Sequence, residues 1–225
     1  MFSATFLITY AEGVSDDQKK ALAERLEGDA AALSDVYICG DTITPSTMNP
    51  GDLFFEIGFA DQEAYEAAKE TSEWADIKEA VADTAVVAVY DFAAYGDSEN
   101  NLKLTETENG TGHRVLFMSV DPTASEEALA HAVEMQPYMQ DFVPGFLNSK
   151  MTKVVESEGR HQWDYVFECD YADPSVYSAA YMMHPIHITY IDRFFEPACK
   201  EQVFDWDLST SVVEVEKPFL ANYAE

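Results

Sequence analysis

The chain has 225 residues, of which 42 are acidic and 13 basic, giving a formal net charge of −29. Hydrophobic residues make up 47%, so the chain should fold, and its length suffices for one large core or two of roughly 100 residues each. The charge repels a phosphate backbone and excludes nucleic acid as a partner; it reads as a strongly hydrated surface.

The first apolar run, "ATFLITY", lies in a strand expected near 2 to 10. Ser15 and Gln18 have capping-box spacing, which predicts a helix over 16 to 33. Strands near 35 to 44 and 53 to 60, a helix over 61 to 83 and a strand near 85 to 94 follow. The polar stretch at 96 to 112, rich in turn formers, reads as a linker. Beyond it the order returns. A strand is expected near 113 to 121, a helix over 124 to 142 capped by Thr123 with Glu126, strands near 146 to 156 and 163 to 171, a helix over 174 to 199 and a strand near 201 to 208.

"ADQEAYEAA" at 60 to 68 and "ADPSVYSAA" at 172 to 180 agree at five positions with an offset of 112, half the chain. "VYDF" and "VFDW" follow them in turn. The reading is α+β: two tandem ferredoxin-like βαββαβ domains, 1–95 and 113–208, with a tail at 209–225. Each sheet would have helices on one face only. The bare faces should therefore pack on one another, making the chain an intramolecular pseudo-dimer.

Cys39, Cys169 and Cys199 are odd in number and lack Cys-x-x-Cys spacing, so neither a disulfide framework nor a zinc site is signalled. No basic leader precedes the first apolar run, and no apolar window reaches the roughly 18 residues that cross a bilayer. A cytoplasmic protein without membrane contact is expected.

The stretch "YMMHPIH" gathers Tyr181, His184 and His187 around Pro185. The residue before proline avoids the α conformation and proline suits a first helical turn, so the helix should break here. Such a kink can aim Tyr181 and His187 into one space. It can equally be a structural bend whose polar groups are met by nearby backbone. Two histidines three apart, without a third ligand nearby, do not signal a metal.

The double βαββαβ layout, the histidine opening "GHRVLFMSV", and "YMMHPIH" together resemble the stress-responsive A/B barrel (Dabb) family of the dimeric α/β barrel group. The likeness is sharpest over 113 to 206, where Tyr181, His184, Pro185 and His187 match the family motif. One plant member of the family is an olivetolic acid cyclase, which performs an aldol cyclisation with a tyrosine and a histidine of this motif. The resemblance implies that Tyr181 and His187 stand at catalytic positions, that His113 is a pocket histidine, and that His184 is structural at the pocket edge.

A neutral imidazole can take a proton beside a carbonyl, commonly a gain of about 100-fold to 10,000-fold, while a phenol donates to the oxygen that becomes an enolate. Phe117, Met182, Met183 and Phe194 are the candidate apolar walls, though each would serve equally as core. The expected activity is cofactor-free cyclase, lyase or isomerase chemistry on a small apolar or carbonyl-containing ligand. The alternatives are a non-catalytic protein binding a hydrophobic ligand, and a monooxygenase of the same wider group.

The first copy places Lys69, Ser72, Glu73 and Ala75 where the motif would fall, and Phe2 about where His113 would. It is expected to serve as sheet partner only, with Trp74 as a core plug. His131 and His161 read as surface residues.

Overall fold

The computed structural model describes residues 1–43, 51–96 and 102–224. Alternating side chains from Phe2 to Tyr10 form strand β1, which sends Phe2, Ala4, Phe6 and Ile8 to one face. Helix α1 (Asp16–Leu33) starts on the expected box: Ser15 Oγ accepts from the Gln18 N–H at 3.3 Å and Gln18 Oε1 accepts from the Ser15 N–H at 3.1 Å. Strands β2 (Val36–Asp41) and β3 (Leu53–Phe59) follow.

The helix expected over 61 to 83 is two helices, α2 (Gln62–Lys69) and α3 (Ser72–Val81). Thr71 divides them because its hydroxyl accepts from the Trp74 N–H and caps α3. Strand β4 (Val87–Tyr95) completes the first unit. Trp74 plugs its core, with ring centroids 5.5 Å from Tyr65 and 6.1 Å from Phe6.

The polar linker falls partly outside the described residues, at 97–101, and beyond that gap forms a short strand, β5 (Leu102–Lys103). The second unit runs through β6 (Gly112–Met118), α4 (Glu126–Met135), a 3₁₀ stretch at Gln136–Asp141, β7 (Phe146–Glu158) and β8 (Tyr165–Tyr171). Ser125, not Thr123, caps α4, because Thr123 turns its hydroxyl to Asp121 while Ser125 Oγ accepts from the Ala128 N–H.

The helix expected over 174 to 199 is broken at Pro185, as its sequence predicts. Two π-helical turns, Tyr177–Tyr181 and His187–Ile191, flank the break, and a 3₁₀ turn ends the segment at Phe194. The last strand differs more. Residues 201–208 form a loop that touches the sheet through one bridge, Val120 to Phe204, and the strand is β9, Ser209–Glu214, within the presumed tail. "VFDW" therefore does not take the place of "VYDF". Asp205 and Asp207 account for this: Asp205 accepts from the Asp207 N–H, and Asp207 is drawn to Arg160 and His161. The β-branched residues follow only at Thr210, Val212 and Val213.

Two units of βαββαβ order share one antiparallel sheet, in the sequence β2-β3-β1-β4-β7-β8-β6-β9, with β5 beside β7. The units join where β4 pairs with β7, Phe92 opposite Glu158. At the far side the Ile43 N–H donates to Val212 O at 2.9 Å, and a Cβ on Gly40 would stand 2.9 Å from Val213 Cγ2. The sheet thus nearly closes into a barrel. Leu7, Phe54, Tyr95, Phe117, Trp163 and Val166 fill the interior, while each unit's helices cover a separate core outside. Among the described residues no helix is long and apolar enough to cross a membrane.

Candidate functional site

Side chains alternate along β6. Arg114, Leu116 and Met118 turn toward the helices of the second unit, whereas His113, Val115 and Phe117 turn into the barrel. The helix side holds a cleft of about 60 Å³ whose lining includes Arg114, Gln136, Tyr181, Met182, His187 and Thr210.

Tyr181 and His187 meet there edge to face, with ring centroids 4.6 Å apart, so the break at Pro185 brings together the pair that the motif predicts. The π-helical turn puts residues five apart on one face, and Asp192 Oδ1 stands 3.1 Å from His187 Nδ1, poorly aligned for a hydrogen bond. Burial pushes the Tyr181 phenol well above its ordinary 10, against the pull of Arg114, so at neutral pH it is a proton donor.

The guanidinium of Arg114 lies over the rings of Tyr177 and Tyr181, 4.7 and 5.3 Å from their centroids. Its Nε donates to Thr210 Oγ1 at 3.0 Å, but Nη1 is buried without a hydrogen-bond partner. A buried cation that also reaches the Tyr181 hydroxyl and the Cys169 thiol has the chemistry to dock an anion.

The other expected site residues do not all join this cleft. His113 is on the opposite face. Phe117 packs on Trp163 in the barrel at 5.8 Å. Phe194 belongs to the core of the second unit beside His131, at 5.7 Å. Met183 is 67% exposed, because the turn before Pro185 swings it outward. His184 accepts from the Ile186 N–H through Nδ1 at 3.3 Å and props up the second turn. Arg114, Tyr177, Gln136 and Thr210 are the residues that sequence reasoning missed. Alternation alone could have found Arg114, since the neighbour of a residue facing one side of a sheet faces the other.

Strand register also corrects the comparison of the units. Ser3 pairs with Gly58 as His113 pairs with Asp170, so Ser3, not Phe2, is the counterpart of His113, and Ala4 is that of Arg114. Phe2 instead stacks on Tyr65 at 4.9 Å. Aromatic rings occupy the space that the second unit leaves as a cleft.

His113 heads a second polar cluster inside the barrel. Its Nδ1 is 2.9 Å from Asp170 Oδ1, and its Nε2 is 3.4 Å from Glu56 Oε2. Burial would lower its pKa, but the hydrogen bonds and charges of Asp170 and Glu56 outweigh that and raise it to about 10. Glu168 stands beside it, raised to about 7 by burial and by the charge of Glu56, with Lys150 opposing. Phe219 and Leu220, at the start of a C-terminal 3₁₀ stretch (Phe219–Ala224), donate their N–H groups to Asp170 at 3.1 and 3.0 Å.

No curated protein matches the sequence. Solved structures with the same fold include an anthrone oxidase-like protein (13% identity over 95% of this chain and 90% of that one, TM-score 0.61) and a mutant chlorite dismutase from Candidatus Nitrospira defluvii (9%, 100% and 96%, 0.52). A third is a major regulator of staphylococcal pathogenesis (8%, 95% and 98%, 0.50). At these identities the likeness is one of fold, and the fold carries unrelated functions. Within the second unit, residues 112–208 match the Stress responsive A/B Barrel Domain (Dabb) family.

Proposed function

We propose that the cleft of the second unit binds a small carbonyl compound bearing a negative group and moves a proton on it without a cofactor. The observation that carries this reading is the buried Arg114, unpartnered at Nη1, beside the Tyr181–His187 pair. In this scheme Arg114 docks the anion and Tyr181 donates a hydrogen bond to the carbonyl oxygen. His187 takes the α-proton. The C–H electron pair forms the enolate double bond, and the negative charge settles on the oxygen held by Tyr181 and Arg114. Returning the proton to another carbon isomerises the substrate; closing or opening a C–C bond at the enolate carbon gives an aldol-type cyclase or lyase.

A cleft of about 60 Å³ accepts only a few non-hydrogen atoms, so the reacting fragment is short. That size equally suits the alternative, a protein that holds its ligand without turning it over. Enzyme names among the fold neighbours support small-molecule chemistry but do not choose between the two.

Short-chain keto acids in D2O provide the test, with α-C–H exchange followed by proton NMR. Catalysed exchange that disappears in Tyr181→Phe and His187→Ala supports proton transfer. Saturable binding without exchange supports the binder, and absence of both rejects the site.

A further inference from the structure

Glu56 and Glu168 occupy equivalent places in the two units, 112 residues apart, and both point into the barrel toward His113. One ligand atom from each of the three side chains lies within 4.8 Å of the others, and all three are fully buried. Glu56 Oε2 and His113 Nε2 face one another at 3.4 Å, a long contact between two fully buried polar groups that a shared ion would satisfy more closely.

We infer that Glu56, His113 and Glu168 form a binding site for a first-row divalent cation, Zn2+ or Mn2+, that ties the two units together. The donor set of one imidazole and two carboxylates suits such ions, whereas Ca2+ requires six to eight oxygens. Either carboxylate can add a fourth donor by binding through both oxygens.

The surroundings are those of a ligand shell already held in place. Asp170 engages His113 Nδ1, leaving Nε2 to face the carboxylates, and is itself fixed by Asn148 Nδ2 at 2.9 Å and by the two N–H groups of the C-terminal stretch. The Tyr95 hydroxyl is 3.3 Å from Glu56 Oε1, and that of Tyr223 is 3.3 Å from Glu168 Oε1. The Lys150 ammonium stands 3.8 Å from Glu168. Full burial makes the site structural, and the ion enters as the chain folds around it.

The test is to unfold the full chain with chelator, refold it with Zn2+ or Mn2+, dialyse it, and measure metal content and Tm. One equivalent per chain and a Tm several degrees above metal-free protein are expected, with both lost in Glu56→Gln and Glu168→Gln. A change of the His113 ring nitrogen signals in Zn2+-loaded wild type reads the same site even if the variants do not fold. Less than about a tenth of an equivalent, with Tm and His113 signals unchanged, overturns the inference. So does bound metal that persists in both variants but is lost in His161→Ala, since that places the ion beside Asp207 at the surface.

Discussion

His113 and Arg114 are chain neighbours that face opposite sides of one strand, and each is buried among groups that the other never meets. His113 lies with carboxylates inside the barrel, while Arg114 lies with aromatic rings in the cleft. Replacing one should leave the other's surroundings intact, which allows the two clusters to be tested separately.

Arg114→Met is expected to remove anion binding while leaving stability within about 1 kcal/mol of wild type or above it. An apolar chain of similar length relieves the buried charge, while Thr210, Tyr181 and Cys169 lose a donor. Loss of a charged hydrogen bond to the ligand corresponds to about 10-fold to 100-fold in Kd. Calorimetric titration with a keto acid and urea unfolding measure the two effects.

Tyr181→Phe keeps the ring contacts with His187 and Tyr177 but removes the donor to the developing oxyanion. Exchange should fall by about 100-fold with binding weakened less than about 10-fold. Equal losses in both would assign the hydroxyl to ligand binding alone.

Gly159 stands at the seam between the units with φ +115, and an added Cβ would come within 2.6 Å of Asp91 Oδ1 and Tyr90 O. Asp91 there receives Arg160 Nη2 at 2.7 Å. Gly159→Ala should cost about 2 kcal/mol or more through strain and displacement of that pair, read as a shift in the urea midpoint.

Lys78 on α3 reaches across the seam to Glu158 on β7, which also accepts from the Tyr90 hydroxyl. Burial alone would raise the Glu158 carboxyl, but these bonds and the charges of Lys78 and Lys69 hold it below its ordinary 4.5. A depressed carboxylate contributes stability above the unfolded value and loses it as pH falls through the folded one. Stability should therefore decline on acidification below about pH 4.5, and Lys78→Met should flatten that slope by under about 1 kcal/mol, because the pair is partly exposed. Denaturant melts between pH 3 and 6 provide the measurement.

Much of the fold is legible in the sequence because strand and helix signals recur at a fixed offset, and Pro185 marks the break that joins Tyr181 to His187. The closing strand lies later than the repeat predicts, since "VFDW" copies the letters of "VYDF" but not its pairing, which Asp205 and Asp207 redirect. Arg114 has no local signal beyond alternation, as its partners come from β9 and from the turn at 177. The barrel cluster lies further from view. Glu56 on β3 and Glu168 on β8 are separated by the same offset of 112, yet only closure of the sheet reveals that they share a histidine.

Carrying both units on one polypeptide has a consequence for what the barrel can contain. Two identical chains would place two copies of His113, Asp170 and Lys150 in the same narrow interior, crowding charge about a twofold axis. Here Ser3, Gly58 and Ile38 stand in their place, so one unit can specialise while the other gives it room.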